Sequence, residues 1–138
     1  MSIPPETVQR LLGEARSATL GTVDEKGQVH LVPIVFAFQD GMIYTAVDAK
    51  PKTTHRLKRI RNIESNPRVS VLVDHYHDDW ERLWWIRLDG KARIVESGPA
   101  RTSALLLLAE KYPIYVDQPP PGPAIVIEVE TIRSWKPI

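Results

Sequence analysis

The first sixteen residues carry apolar side chains at helical spacing. These residues recur three or four positions apart, at Val8, Leu11, Leu12 and Ala15. They follow Pro4 and Pro5, and proline suits the first turn of a helix, where the N–H groups have no intrahelical partner. The pattern predicts a helix over residues 5 to 16.

From residue 18 the pattern changes to alternation rich in β-branched residues. The runs ATLGTV, VHLVPIVFAF and MIYTAV are separated by DEKG and QDG. Short connections that contain glycine suit tight antiparallel turns. We therefore predict three strands in an antiparallel meander, with VHLVPIVFAF as one strand.

A second helix is predicted over residues 53 to 65. Leu57, Ile60 and Ile63 give this segment one narrow apolar stripe, and Thr53 or Thr54 is available as its N-cap. Pro67 disfavours helical geometry at the residue before it and so ends the helix. The run VSVLVDHY then predicts a fourth strand.

The remaining elements alternate between β and α patterns. LWWIRLDGKARIVE predicts a long strand or a hairpin interrupted at Asp89 and Gly90, and GPARTSALLLLAEKY predicts a helix. The proline-rich loop DQPPPGP leads into a last strand, AIVIEVETIRSW. Because strands mostly adjoin strands, the order favours a mainly β antiparallel barrel over a parallel α/β sheet.

Composition narrows the class of protein. A chain of 138 residues is of single-domain length, so residues 1 to 138 are taken as one domain. There is no cysteine, which excludes disulfides and thiolate metal ligands and fits a reducing compartment. The charged, proline-containing start is unlike a signal peptide, and the longest apolar run, 104 to 109, is too short to span a bilayer. We expect a soluble, cytoplasmic protein.

Positive charge is concentrated in one segment, AKPKTTHRLKRIRNIESNPR, which holds seven basic residues and one acid in a chain of net charge +1. Cations at a helix start oppose the helix dipole, so the segment predicts a bound anion there. A phosphate would be held by backbone N–H groups, threonine hydroxyls and lysine ammonium groups. The residues in position to do this are Lys50, Lys52, Thr53, Thr54 and Arg56.

Other interpretations of the basic segment stay open. Arg59 and Arg61 could extend the site toward further anionic groups or could be ordinary solvated charges of an amphipathic helix. Nucleic acid is a weaker candidate, because no aromatic residue is interleaved to stack on bases. Neither a G-x-x-x-x-G-K-[ST] loop nor a G-x-G-x-x-G fingerprint is present.

Two further groups of residues could carry chemistry. His75 and His77 share one face of a strand and precede Asp78 and Asp79, but without a third histidine nearby a metal site is the less favoured interpretation. Trp84 and Trp85 are adjacent and so point to opposite faces of a strand. One is expected in the core, and the other at an interface or over a cofactor ring.

The order of these motifs resembles the pyridoxamine 5′-phosphate oxidase-like split-barrel family of flavin and deazaflavin proteins. The similar stretches are ATLGTVDEKGQVHLVPIVFAF, IYTAVD, NPRVSVLVD, HYHDDWERLWWIRLDGKARIV and GPAIVIEVETIRSW. Within the family, the chain looks most like the small oxidoreductases that use the deazaflavin F420. The resemblance implies a six-stranded split β-barrel that forms a homodimer, with cofactor sites in the grooves between subunits.

The resemblance also assigns cofactor-binding residues. It implies that Lys50 and Lys52 hold the phosphate, with Thr53 and Arg56 as helpers. The strand lining the cofactor ring corresponds to Leu31, Val32, Pro33 and Ile34, together with Thr45, Ala46 and Val47. Of the adjacent tryptophans, Trp85 is taken as the one near the ring, with Trp84 as the alternative. FMN ends in one phosphate, whereas F420 carries a phosphodiester and a tail with several carboxylates, so Lys58, Arg59 and Arg61 favour F420 over FMN.

The function expected from the resemblance is an F420-dependent oxidoreductase that reduces a small unsaturated molecule. The cofactor carries hydride chemistry, which agrees with the lack of an evident catalytic constellation, and no catalytic residue is assigned. An FMN-dependent oxidoreductase and a non-catalytic carrier of F420, FMN or haem are the alternatives. The segment before Asn66 and Pro67 is longer than in the pyridoxamine phosphate oxidases, so pyridoxal phosphate synthesis is not expected.

Overall fold

The strands of this chain join in a single antiparallel sheet, which helices flank. A computed structural model describes residues 1–48 and 57–138. In chain order the elements are α1 (Pro5–Glu14), β1 (Ala18–Val23), β2 (Val29–Ile34), β3 (Ala37–Gln39), β4 (Met42–Ala46), α2 (Lys58–Ser65), β5 (Arg68–His75), a 3-10 turn (Trp80–Arg82), β6 (Trp84–Val95), α3 (Pro99–Lys111), α4 (Ile114–Asp117) and β7 (Ala124–Trp135). The spatial order of the strands is β2-β1-β5-β6-β7-β4-β3. The mainly β prediction is therefore confirmed.

The run VHLVPIVFAF forms two strands, so its prediction as one strand of a meander is wrong. β2 pairs with β1, whereas β3 pairs with β4, and the two pieces lie at opposite edges of the sheet order. Only Val35 and Phe36 separate them along the chain. The sheet must therefore curl until its two edges meet at this bend, and the strand count is seven rather than six.

The run after the 3-10 turn is one long strand, which excludes the alternative of a hairpin. β6 pairs with β5 through its first eight residues and with β7 along nearly its whole length, with a bulge between Asp89 and Gly90. A side chain at Gly90 would overlap the carbonyl oxygen of Glu128. The close approach of β7 thus requires glycine at this position.

The concave face of the curled sheet forms the main core. Alternate residues of the strands point inward and are fully buried, among them Leu20, Ile43, Val71, Ile86, Leu88, Ile125 and Ile127. Leu12 of α1 and Ile60 and Ile63 of α2 pack against the same cluster. The first helix matches its prediction within two residues.

α2 begins later than predicted. Its N-cap is Leu57, whose backbone is extended at φ −57° and ψ 147°, and no side chain caps it. The described helix thus has its N-cap at Leu57 rather than at Thr53 or Thr54, which lie outside the described residues. Asn66 is extended before Pro67, as predicted from the steric effect of proline.

The convex face of the sheet is divided into a covered half and an open half. α3 covers β3, β4 and the first part of β7, where Tyr44, Ala46 and Val126 pack beneath it. The other half, formed by β2, β1, β5, β6 and the end of β7, carries half-exposed and exposed side chains. We call this second half the open face, and its central apolar members are Leu31, Leu72, Trp85 and Trp135.

Candidate functional site

The start of α2 presents a concentration of positive charge. Lys58, Arg59 and Arg61 fall within its first four residues, and the first turn contains no acidic residue. Lys58 lies 3.7 Å from Asp24 of the β1–β2 turn. Among the described residues, no carboxylate pairs with Arg59 or Arg61. Burial lowers the pKa of Arg59, so this half-buried guanidinium lies where water screens it incompletely.

A buried polar contact anchors α2 to the sheet. Asn62 is 4% exposed and donates from Nδ2 to the hydroxyl oxygen of Thr22, which is fully buried on β1, at 3.0 Å. Ile60 and Ile63 flank this contact with apolar packing. Sequence reasoning missed Asn62, since only its place beside Ile63 hints that it faces inward.

The predicted ring-lining residues divide between two surfaces. Ile34, Thr45 and Val47 are buried in or beside the main core, and Ala46 is buried beneath α3. Val32 is half-buried and packs against the main core from β2. Leu31 and Pro33 instead lie on the open face, with Leu31 66% exposed. Of this set, only Leu31 and Pro33 offer side chains to a ligand on the open face.

The ends of β2 and β4 meet at the bend. The Thr45 hydroxyl donates to the carbonyl oxygen of Val35 at 2.7 Å. Tyr112, at the end of α3, accepts from the Phe36 N–H at 3.2 Å. The structure therefore brings Leu31–Ile34 and Thr45–Val47 together, although their spacing in sequence shows no such link. Sequence reasoning gave Tyr112 no role here.

The two adjacent tryptophans point to opposite sides of β6, as predicted. Trp84 packs against the main core and stacks on His75, with ring centroids 5.9 Å apart. Trp85 lies on the open face, where its cross-strand neighbours are Asp74 and Trp135. Strands lie about 4.8 Å apart and rise about 3.3 Å per residue, which puts Trp85 roughly 16 Å along the sheet from Pro33. One chain does not bring Trp85 and Pro33 into contact.

All five of the predicted phosphate-binding residues lie outside the described part of the chain. They are Lys50, Lys52, Thr53, Thr54 and Arg56. The described residues on either side, Asp48 and Leu57, follow β4 and precede α2. Along the chain, residues 49–56 therefore connect the end of β4, which carries Thr45 and Ala46, with α2, which carries Arg59.

The histidine pair has contacts of its own. His75 stacks on Trp84, and the His77 ring accepts from the Asp79 N–H at 2.9 Å. Within residues 1–48 and 57–138, no group of three or more histidine, aspartate or glutamate side chains is placed to hold a metal ion. Over those ranges there is also no helix of the length and apolar character needed to cross a membrane.

Together these features define a mainly β protein with a curled antiparallel half-barrel, whose helix α2 begins with basic residues near the β1–β2 turn. The family model described as Pyridoxamine 5′-phosphate oxidase matches residues 4–136. The chain therefore belongs to this family. No curated protein matches the chain.

Solved structures share the fold at low sequence identity. A conserved hypothetical protein from Mycobacterium tuberculosis is 24% identical with a TM-score of 0.79, covering 97% of this chain and 85% of its own. The heme storage protein HutZ from Vibrio cholerae is 17% identical, with a TM-score of 0.76 and coverage of 99% and 95%. A FAD-binding protein from Mesorhizobium loti is 19% identical, with a TM-score of 0.75 and coverage of 97% and 93%. At these identities the likeness establishes the fold alone.

Proposed function

We propose that this protein is an F420-dependent oxidoreductase that reduces a small unsaturated organic substrate. The observation that carries the proposal is the start of α2, where Lys58 lies 3.7 Å from Asp24 but Arg59 and Arg61 have no carboxylate partner among the described residues. Helix N-termini already favour anions through free N–H groups and the helix dipole. Family membership supplies the rest of the argument, since this half-barrel fold is that of a flavin-binding family.

The residues present fit a cofactor with more than one anionic group. Lys50, Lys52, Thr53 and Arg56 would hold the phosphate, and Arg59 with Arg61 would hold the carboxylates of the tail. A single phosphate, as in FMN, would leave Arg59 without an anion among the described residues. The chemistry that the bound cofactor supplies is hydride transfer, while the protein provides orientation and excludes water.

We propose that the active form is a homodimer paired through the open face. Leu31 is 66% exposed, and Leu72 and Trp135 are each 38% exposed, so this face offers a large apolar surface. A second copy placed across it would bring the partner's Trp85 toward Leu31 and Pro33, which a single chain does not do. The cofactor ring would then lie between subunits.

One charged cluster on the open face is internally compensated. The Asp89 carboxylate accepts hydrogen bonds from Ser70 at 2.6 Å and from Arg87 and Thr131 at 3.2 Å. Burial acts to raise the pKa of Asp89, but these hydrogen bonds and the Arg87 charge outweigh it and hold the pKa below its ordinary value. Covering this cluster in an interface therefore costs less than covering an unpaired carboxylate.

The second candidate is a protein that binds FMN or haem, with or without turnover. The support for this candidate is the likeness of the fold to structures named as a FAD-binding protein and a heme storage protein. Loss of hydride from the reduced cofactor when substrate is added separates an enzyme from a carrier. A carrier would hold the cofactor in the reduced state.

The phosphate site can be tested with a double variant, Lys50→Ala with Lys52→Ala. Each charge-assisted hydrogen bond contributes about 1.5 to 3 kcal/mol, so F420 affinity should fall at least about tenfold. Arg10→Ala is the matched control, because it removes an exposed cation that already pairs with Glu14 at 2.8 Å. Unchanged affinity in the double variant, with the control also unchanged, would refute the site.

Salt dependence tests the tail-binding residues separately. A ligand with several carboxylates should lose affinity more steeply with ionic strength than FMN does, because more exposed charges are screened. Arg59→Ala should reduce the slope for F420 and leave the slope for FMN unchanged. Equal slopes for both cofactors in the wild-type protein would show that Arg59 and Arg61 are ordinary surface charges.

A further inference from the structure

The bend between β2 and β3 is held by side chains from two other elements. The Thr45 hydroxyl of β4 donates to the Val35 carbonyl at 2.7 Å. The Tyr112 hydroxyl accepts from the Phe36 N–H at 3.2 Å and lies 3.1 Å from the Phe36 carbonyl oxygen. Phe36 is fully buried and Thr45 is 1% exposed. Both hydroxyls therefore act where water does not replace them.

The strand ladders do not provide these hydrogen bonds. β2 pairs with β1 as far as Ile34, and β3 pairs with β4 from Ala37, so Val35 and Phe36 fall between the two ladders. A buried backbone group without a partner costs about 1 to 3 kcal/mol. Thr45 and Tyr112 supply the partners that this change of strand neighbour removes.

Tyr112 also connects the bend to the chain after α1. Its hydroxyl lies 3.0 Å from the Arg16 carbonyl oxygen, so its single proton is given either to that oxygen or to the Phe36 carbonyl. The neighbouring Lys111 places its ammonium 4.0 Å from the centre of the Phe36 ring and donates to the Leu12 carbonyl at 3.0 Å. The end of α3 thus holds both the backbone and the ring of Phe36.

We propose that Thr45 and Tyr112 are positioning residues for the cofactor site. By fixing the bend, they set the angle between β2, which carries Leu31 and Pro33, and β4, which leads into the basic segment. This inference rests on the proposed function, since it assigns these strands to the cofactor. The role expected of Thr45 changes as well. Its hydroxyl donates to the Val35 carbonyl, so Thr45 would act on the ligand through the position of β2 rather than by direct contact.

The test compares cofactor affinity in four variants at a temperature where all of them are folded. Tyr112→Phe and Thr45→Val remove one hydroxyl each and should weaken binding of F420 by about tenfold, the effect of a displaced strand on several contacts. Thr45→Ser keeps the hydroxyl and should restore binding to within about twofold of the wild type. Tyr115→Phe is the matched control, since no described residue hydrogen-bonds its hydroxyl.

A readout without cofactor separates this inference from the proposed function. Hydrogen exchange at the Phe36 amide should accelerate at least about tenfold in Tyr112→Phe, whereas the amides of β6 should keep their protection. If wild-type protein binds neither F420 nor FMN, the proposed function fails and no positioning role remains, while the exchange rates still show whether the hydroxyl holds the bend. Wild-type affinity in both Tyr112→Phe and Thr45→Val would overturn the inference, as would equal loss in Thr45→Ser and Thr45→Val. If Tyr112→Phe does not fold, the two Thr45 variants decide.

Discussion

The contact between Asn62 and Thr22 makes a sharp prediction about how the basic helix is anchored. Asn62→Ala removes the donor and leaves a fully buried hydroxyl without it, and Thr22→Val leaves a buried amide unpaired. Each single substitution should lower the free energy of unfolding by about 1 to 3 kcal/mol. For a domain of this size, a loss of 2 kcal/mol lowers Tm by about 4 to 8 °C.

The double variant, Thr22→Val with Asn62→Leu, should lose less free energy of unfolding than the summed losses of Thr22→Val alone and Asn62→Leu alone. Replacing both partners by apolar groups of similar shape removes the unpaired atoms along with the hydrogen bond. We expect a coupling energy of about 1 to 2 kcal/mol from the thermodynamic cycle. Urea denaturation of Thr22→Val, Asn62→Leu and the double variant measures it directly.

Additive losses would refute this reasoning, because they would show that the two side chains act independently. The cycle also has a functional readout. α2 carries Arg59, so the single variants, which loosen the anchor of this helix, should bind the cofactor more weakly. The double variant, which has no unpaired buried atom, should recover part of that affinity. Gln9→Ala, at an exposed position in the middle of α1, is a control that should change neither stability nor binding.

Two further predictions concern packing and pH. A side chain at Gly122 would lie 2.6 Å from the Val47 carbonyl oxygen, so Gly122→Ala should destabilise the protein by about 1 to 3 kcal/mol. Gly13 has open space around it in α1, so Gly13→Ala should stabilise the protein by up to about 1 kcal/mol. Calorimetry of both variants checks that the two effects have opposite sign. Burial, and then the charge of Arg16, lower the pKa of Lys111 to about 8 from 10.5, so the unfolded chain binds more protons between these values and stability should rise with pH from about 8 to 10.5. Urea titrations at pH 7.5, 8.5 and 9.5 should show this rise in the free energy of unfolding of the wild-type protein but not of Lys111→Met. A wild-type free energy of unfolding that does not change relative to that of Lys111→Met over this range would contradict the assigned burial.

Local patterns predicted most elements because each pattern has a local physical cause. Proline at the start of α1, proline after α2 and alternation in β1, β5 and β7 all act within a few residues. The long α3 and the proline-rich loop after it were identified for the same reason. The charge pattern is local as well, because the basic residues continue into the start of α2, where cations oppose the helix dipole.

The misassigned elements depend on contacts distant in sequence. The run from Val29 to Gln39 is split because Thr45 and Tyr112 satisfy the backbone at its bend, and Tyr112 lies 76 positions from Phe36. The start of α2 depends on the extended backbone at Leu57. Strand alternation predicts that Leu31–Ile34 are divided between the core and the outer face of the sheet. Which half of that outer face stays uncovered depends on where α3 packs, and this is not encoded in the local pattern.

The central claim is that the basic segment and α2 bind F420 in preference to FMN or haem. Side-by-side titration of the purified protein with the three cofactors tests it most directly, followed by tryptophan fluorescence because Trp85 and Trp135 lie on the open face. We expect F420 to bind at least about tenfold more tightly than FMN at low salt, and we expect high salt to narrow the difference in affinity. Tighter binding of FMN or haem would contradict it and reassign the protein to the second candidate function.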